Sequence, residues 1–205
     1  MVLGGEQARG CIDCGQCSKT FRCAFSDDVC NDLIEAILKA DGIIIGSPVY
    51  FASPSGALCA LLGRVFYAAS THGGLFKGKP AAAVASCIRS GANSTVDRIN
   101  KYFSFSEMPI VSSSYWNMLF DSHSPIGFDE RGHKTMQTLG YNMAAILQKT
   151  LDHIRMEYAE SWREKVFGFF SPTLFLYICI RQELFDRNTP HIAEFATVSK
   201  SLPRS

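Results

Sequence analysis

The sequence predicts a single doubly wound α/β domain built on a parallel sheet. Segments with apolar residues at helical spacing alternate along the chain with short, continuous apolar runs. These runs lack the polar alternation of a half-exposed strand, which is typical of strands covered on both faces. The composition, with 47% hydrophobic and 19% charged residues in 205, fits one globular domain. Repeated β-α-β units indicate parallel strands joined by right-handed crossovers.

The first half of the chain supplies two helices and two strands. Asp27 and Asp28 precede an apolar stripe at helical spacing, as acidic residues do in the first turn of a helix. A glycine-bounded run of three isoleucines follows at once and predicts a buried strand. The predicted elements are a helix over about 26–40, a strand at 42–46, a helix ending near 69 and a strand at 81–85.

The second half continues the alternation. A third helix is predicted to start after Gly91 and to end near Phe103, followed by a short strand at 109–111 and a loop over 112–128. Asp129 can cap a long final helix. Its apolar stripe consists of Met136, Leu139, Met143, Ile146, Leu147, Leu151 and Ile154.

Charge and cysteine content exclude several classes of protein. The net charge is +1 with no basic run, which disfavours nucleic acid and anionic membranes as partners. The start of the chain has neither a basic leader nor a long apolar stretch, so we expect a cytoplasmic protein. Its eight cysteines are then thiols or metal ligands rather than a disulfide scaffold.

Two loops lie where such a fold binds ligands, at the carboxyl ends of parallel strands. The loop at 47–53 carries two aromatic residues, and the prolines in and beside it stiffen a flat apolar surface that suits a planar ring. The loop at 86–95 combines Arg89 with Gly91 at a helix start, which suits an anion or electron-rich oxygens. The alternative for the first loop is an ordinary strand-to-helix connection whose Tyr50 and Phe51 cover the core. The alternative for the second is a capped helix with a solvated arginine.

Residues 40–51, Ala-Asp-Gly-Ile-Ile-Ile-Gly-Ser-Pro-Val-Tyr-Phe, resemble the signature of NADPH-dependent FMN reductases and their iron–sulfur flavoprotein relatives. Three further stretches agree with these families in order and spacing, and the resemblance covers about residues 1–155. They are Cys11 to Cys23 followed by Asp27-Asp28, then Ser114-Tyr115-Trp116-Asn117-Met118, then Gly132 through Thr138-Leu139-Gly140 to Asn142-Met143-Ala144. The resemblance implies a flavodoxin-like fold.

The resemblance also implies FMN as the cofactor. The stretch at 47–51 would lie against the isoalloxazine ring, and the loop at 86–95 would hold its far edge. Trp116 and Asn117 would border the flavin or a neighbouring subunit. No catalytic side chain is assigned, because the flavin itself carries the chemistry. The implied cofactor-binding residues are Ser47, Pro48, Val49, Tyr50, Phe51, Cys87, Arg89, Ser90, Gly91, Asn93 and Trp116.

Four cysteines with the spacing Cys-x2-Cys-x2-Cys-x5-Cys resemble the compact cluster motif of iron–sulfur flavoproteins. They are Cys11, Cys14, Cys17 and Cys23. Four thiolates this close in sequence can close around one 4Fe-4S cluster. Two alternatives stay open: free thiols without a metal, and a structural zinc, which more often uses two separated pairs.

The function implied is that of an FMN-dependent oxidoreductase. It would pass electrons from NAD(P)H or a ferredoxin-like donor to a small-molecule acceptor, through the 4Fe-4S cluster if the cysteines hold one. The family resemblance implies a homodimer or homotetramer. The alternatives are a non-catalytic flavodoxin-like remnant or interaction module that has lost FMN, and a zinc-stabilised binding protein.

The resembling proteins begin with a strand, a phosphate loop and a helix that have no counterpart here. Met1 falls where their second strand begins, so we expect a gap at the centre of the sheet, beside the strand at 42–46. Because the phosphate group is a major anchor for FMN, we also expect this chain alone to bind FMN weakly. We divide the chain into a flavodoxin-like domain at 1–160 and a divergent apolar extension at 161–205. Three alternatives stay open for this extension: it packs on the domain, it is buried at an oligomer interface, or it reflects a faulty gene model.

Overall fold

Helices and strands alternate along the part of the chain described by a computed structural model: residues 8–120 and 127–149, with 177–180 as backbone alone. The predicted helices and buried strands are confirmed, with small shifts at their ends. In chain order the elements are α1 (Cys17–Thr20), α2 (Cys30–Lys39), β1 (Gly42–Tyr50), β2 (Ser53–Pro54), α3 (Gly56–Ser70), β3 (Ala81–Cys87), α4 (Ala92–Phe105), β4 (Met118–Phe120), α5 (Glu130–Lys149) and β5 (Tyr177–Ile180).

The centre of the sheet is the parallel pair β1 and β3. Ile43 lies opposite Ala81, and the register continues to Pro48 opposite Ser86. Strand β4 pairs parallel with the other edge of β3. Because β1 and β3 run in the same direction in register, the loops that follow them leave the sheet at the same edge.

Helices cover both faces of this sheet, which confirms the doubly wound, flavodoxin-like fold. Side chains of β1 alternate, so Ile43 and Ile45 pack in one core cluster and Ile44 in the other. The first cluster contains the apolar faces of α2, α3 and α4, and the second contains that of α5. Coverage on both faces explains why these strands read as continuous apolar runs.

The strand predicted at 109–111 is wrong in extent. Only an isolated bridge between Ile110 and Ala81 forms there, and the strand of this region is β4, inside the stretch predicted as a loop. The Asp129 cap explains part of this: its Oδ1 accepts from the Gly132 amide at 2.8 Å, while its Oδ2 accepts from the Phe120 amide at 2.8 Å. The same carboxylate therefore starts α5 and holds the end of β4. Leu151 and Ile154 of the predicted stripe lie outside the described residues.

The expected gap beside β1 is also wrong. Strand β5 pairs antiparallel with β1, from Gly42 opposite Ile180 to Ile45 opposite Tyr177. The same residues of β1 pair with β3, so β5 occupies the opposite edge. An unpaired edge inside the sheet would leave backbone polar groups without partners, which explains why an apolar segment of the tail adds there. Within the described residues, no helix is long and apolar enough to cross a membrane.

Candidate functional site

The loop after β1 is a tight turn held from inside. Ser47 is buried, its hydroxyl donates to the Pro48 carbonyl oxygen at 2.7 Å and accepts from the Ser55 amide at 3.0 Å. At the tip, Phe51 and Ala52 adopt left-handed backbone angles, with φ of 49° and 64°. The chain then returns as β2, which pairs antiparallel with the end of β1.

This turn places two aromatic side chains in solvent. Tyr50 is 57% exposed and Phe51 is fully exposed, at 105% of its reference area. Neither is needed to fill the core, although aromatic side chains normally gain from burial. The sequence-based alternative, in which both rings cover the core, is therefore not what the structure adopts. Pro48 and Val49, at the end of β1, are half-buried.

The loop after β3 touches the turn after β1. Gly91 has a φ of +89°, and a Cβ added to it would lie 2.8 Å from both the Ala52 Cα and the Val49 Cγ1. Only glycine permits this backbone angle and this approach together. The two predicted site loops therefore form one continuous surface at the carboxyl edge of the sheet.

The polar residues of the second loop line that surface. Arg89, Ser90 and Asn93 are exposed, and Gly91 immediately precedes the start of α4. The first amides of a helix have no intrahelical acceptor and carry partial positive charge. Cys87, by contrast, is buried and packs in the core cluster, so its side chain does not contribute to the surface.

Trp116 and its neighbour Asn117 have different roles. Trp116 is 58% exposed, beside the exposed Tyr115. Asn117 is buried: its carbonyl oxygen accepts from the Ala85 amide at 3.0 Å, and its side-chain oxygen accepts from the Ser113 hydroxyl at 2.7 Å. Asn117 therefore fixes the loop to β3, while Trp116 stays available for contact with a ligand or another chain.

The four cysteines of the spaced motif line a second site. Cys11, Cys14, Cys17 and Cys23 surround one pocket of about 350 Å³, part of it open to solvent, whose other wall comes from α3. Cys11 and Cys14 are exposed, Cys17 is buried and Cys23 is half-buried. Left-handed backbone at Asp13, Gly15 and Phe21 winds the segment around this space.

The Cys17 thiol is harder to ionise than an ordinary cysteine. Burial raises the pKa of Cys17, and the other three cysteines raise it further by charge repulsion. A thiol must lose its proton to become a metal ligand, so binding of a metal at Cys17 would release that proton.

The four thiols share a pocket but do not converge on one point. Among the described residues, no group of three or more His, Cys, Asp or Glu converges as a site for one metal ion. A tetrahedral zinc bound to sulfur at about 2.3 Å needs such convergence. The residue type fits an iron–sulfur cluster, since thiolates are the usual ligands of such clusters and four cysteines line the pocket.

Helix α3 and the turn after it hold the cysteine segment. Nε2 of His72 lies 2.7 Å from the Cys17 carbonyl oxygen, and its ring stacks on Phe21 with centroids 3.5 Å apart. Asn31 binds the backbone of Cys23 from the other side: its Oδ1 accepts from the Cys23 amide at 2.8 Å, and its Nδ2 donates to the Cys23 carbonyl oxygen at 3.1 Å. Side chains from the folded domain thus fix the segment at Cys17 and at Cys23.

A buried ion pair closes the pocket. Nη2 of Arg64 donates to the Asp28 Oδ1 at 2.9 Å, Nη1 donates to the Oδ2, and Nε donates to the Cys23 sulfur at 3.2 Å. The hydrogen bond to Asp28 raises the pKa of Arg64 against the effect of burial. For Asp28, burial acts to raise the pKa, but hydrogen bonds from Arg64 and the Cys30 amide outweigh it and the pKa is lowered. Both groups are therefore charged at neutral pH.

The family model described as NADPH-dependent FMN reductase matches residues 4–122 of this chain. That is more than half of its 205 residues. The chain belongs to this family. The matched range includes the cysteine pocket, both loops of the sheet edge and Trp116, so the FMN reductase family resemblance predicted from sequence is confirmed.

Two known proteins are similar to this FMN reductase family member. An iron–sulfur flavoprotein of Methanocaldococcus jannaschii is 30% identical over 118 residues, which are 55% of this chain and 58% of that protein. The chain thus spans less than two thirds of the length of that relative. The crystal structure of RosB with the bound intermediate 8-demethyl-8-formylriboflavin-5'-phosphate aligns over 89% of this chain and 75% of the other, with a TM-score of 0.46 and 14% identity.

Three residues that shape the cysteine pocket of this FMN reductase family member were missed in the sequence: Asn31, Arg64 and His72. Asn31 and His72 carry no local signal, because their partners are backbone atoms 8 and 55 residues away. Arg64 does carry a local signal in the sequence. It stands among Leu61, Val65 and Ala68, on the apolar stripe of α3, where a charged residue requires a buried partner.

Proposed function

We propose that this chain binds FMN between the loops after β1 and β3 and acts as an FMN-dependent oxidoreductase. NAD(P)H or a ferredoxin-like protein would donate the electrons, and a small molecule would accept them. The main support for the proposal is the close approach of Gly91 to Val49 and Ala52. This contact joins the two loops into one surface, in a chain that belongs to the FMN reductase family.

Each loop residue has a task in this proposal. Tyr50 and Phe51 offer exposed ring faces for the flat flavin ring, and Arg89 offers a fixed cation for its electron-rich oxygens. Ser90 and Asn93 offer hydrogen bonds at its edge. FMN, when bound, supplies a ring that accepts two electrons and a proton as a hydride. The buried Ser47 keeps the first loop in place beneath it.

We further propose that Cys11, Cys14, Cys17 and Cys23 hold a 4Fe-4S cluster. The support is the position of all four thiols around one pocket, together with the spacing Cys-x2-Cys-x2-Cys-x5-Cys and the ability of four thiolates to ligate such a cluster. Such a cluster transfers one electron at a time. A reducing, cytoplasmic setting suits these thiols, which would be oxidised outside the cell.

We also propose that the protein forms a homodimer or homotetramer. Exposed aromatic side chains at the sheet edge, Trp116, Tyr115, Phe51 and Tyr50, are typical of surfaces that contact a ligand or another subunit. Sedimentation of the loaded protein tests it, and a monomer in the presence of FMN would contradict it.

Anaerobic titration with FMN tests the first part. We expect saturable binding, seen as quenching of flavin fluorescence, and FMN-dependent oxidation of NADH or NADPH, followed by the loss of nicotinamide absorbance. If FMN binds but is reduced only by a ferredoxin-like protein and not by NADH or NADPH, the ferredoxin-like protein is the donor. No saturation at any accessible concentration would favour the non-catalytic remnant or interaction module instead. The prediction that the chain alone binds FMN weakly stays a prediction and is read from the same titration.

Metal analysis after anaerobic reconstitution with iron and sulfide tests the cluster. We expect about four irons per chain in the wild type and a large loss in Cys14→Ser. Cys59→Ser is the matched control, because Cys59 is half-buried on α3 and does not line the pocket. Equal iron in the two variants would contradict the assignment, and zinc bound in place of iron would select the zinc alternative.

A further inference from the structure

Arg64 is a charged side chain where the fold has no need of one. It lies in the middle of α3 and is only 2% exposed, among residues of the main core cluster. A buried ion pair is commonly replaceable by apolar residues without loss of stability, so burial of Arg64 is not explained by stability alone. Its surroundings point instead to the cysteine pocket, which it lines.

The guanidinium group is fixed so that one donor faces a sulfur. Both Nη atoms donate to the two carboxylate oxygens of Asp28, and Nη1 also donates to the Arg9 carbonyl oxygen at 3.3 Å. A bidentate pair of this kind sets the plane of the guanidinium. Nε, on the opposite side of the fork, then donates to the Cys23 Sγ at 3.2 Å.

Cys23 itself is held at its backbone. The Asn31 side chain binds both the amide and the carbonyl group of Cys23, and Asn31 is only 8% exposed. Cys11 and Cys14, by contrast, are exposed. The sulfur of Cys23 is therefore fixed from two directions before any cluster is present.

We propose that Arg64 is a positioning residue for the cluster: it orients the Cys23 sulfur as a ligand and, through its Nε–H donor, raises the reduction potential of the bound cluster. This inference rests on the proposed 4Fe-4S site. Hydrogen bonds to ligand sulfurs stabilise the more negative, reduced cluster, and such outer contacts tune both potential and ligand geometry. Because Asp28 balances the charge of Arg64, the directed N–H group carries the effect rather than a net positive charge.

The test measures the midpoint potential of the full chain, reconstituted anaerobically with iron and sulfide, by redox titration followed by visible absorption. Arg64→Lys keeps the charge but loses the planar fork. We expect its one-electron reduction to become roughly tenfold less favourable, a shift of about 59 mV to lower potential. Arg98→Lys is the matched control, because Arg98 is exposed on α4 and its guanidinium lies over Tyr102. The midpoint potential of this variant should equal that of the wild type.

A second measurement needs no change at Arg64. Wild-type chain with isotope-labelled arginine Nε should show a weak nitrogen coupling to the reduced cluster in pulsed electron paramagnetic resonance. The coupling should persist in Arg9→Lys, which removes the neighbouring exposed arginine. Two results would overturn the role of Arg64 while leaving the cluster in place. One is an unchanged midpoint potential in Arg64→Lys with full iron content, and the other is the absence of nitrogen coupling in the wild type. A wild-type chain that takes up no iron and sulfide would overturn the cluster and this inference together.

Discussion

Arg64 and Asp28 form a two-point ion pair inside the protein, with their side chains 1% and 6% exposed. The pair joins the middle of α3 to the segment just before α2 and so connects two of the three helices on one face of the sheet. Burying either charge without the other is strongly unfavourable, because little solvent remains to stabilise it. The cysteine segment ends at Cys23, five residues before Asp28, and is anchored at the same place because Arg64 also donates to the Cys23 sulfur.

Replacing Asp28 by Asn should therefore destabilise the protein far more than the same change one position earlier. We expect Asp28→Asn to lower the free energy of unfolding by about 3–5 kcal/mol, because Arg64 is left buried and unpaired. Asp27 pairs with Arg9 at the surface, with side chains 56% and 48% exposed. Asp27→Asn should therefore lower the free energy of unfolding by less than about 1 kcal/mol. Urea unfolding followed by circular dichroism measures both. Equal losses would show that the buried pair is not the main anchor.

The pH dependence of stability should carry the signature of Asp28. Its pKa in the folded protein lies below the ordinary value of 3.8. The unfolded chain therefore binds a proton at Asp28 more readily, and the stabilisation is present above the unfolded pKa and lost as the pH falls through the folded one. We expect the stability difference between wild type and Asp28→Asn to be constant above about pH 5 and to shrink at lower pH. A difference that stays constant down to pH 2 would contradict this.

Sequence patterns predicted the elements whose apolar residues face the core. The isoleucines of β1 and the alanines of β3 are buried on both faces, so their order in the sequence already reflects the finished sheet. Gly91 and the aromatic pair Tyr50 and Phe51 were also found, since a glycine at a helix start and exposed aromatics after a buried strand are local signals.

Features that depend on distant contacts were not predictable. Strand β4 is only three residues long, and Asn117 and Asp129, outside the strand, hold its two ends. Strand β5 pairs with β1 across more than 130 residues of chain, and no local pattern shows where such a segment adds. The same holds for the Arg64 contacts with Asp28 and Cys23, which lie 36 and 41 residues away.

The contact between the two site loops should be sensitive to a single methyl group. Gly91→Ala forces a side chain into the left-handed region and places Cβ 2.8 Å from the Ala52 Cα, so we expect a loss of more than about 1 kcal/mol and weaker FMN binding. Gly63→Ala is the matched control, because Gly63 lies inside α3 with no atom within 4 Å of an added Cβ. This substitution should raise the free energy of unfolding by about 0.5–1 kcal/mol. Thermal unfolding and flavin titration measure both effects. Wild-type stability in Gly91→Ala would show that the loops can separate freely.

The exposed ring of Phe51 should matter for the cofactor and not for the fold. Since Phe51 is fully exposed, Phe51→Ala should leave the free energy of unfolding within about 0.5 kcal/mol of the wild type. Stacking of an aromatic side chain on a flat ring contributes about 0.5–1.5 kcal/mol, so the dissociation constant for FMN should rise by roughly 2- to 12-fold. Phe105→Ala is the matched control, because Phe105 is 83% exposed but stands at the far end of α4 from Gly91. Fluorescence titration of the two variants separates the outcomes: if both bind FMN as the wild type does, Phe51 lies outside the flavin site and the ring must be held by other residues of the sheet edge.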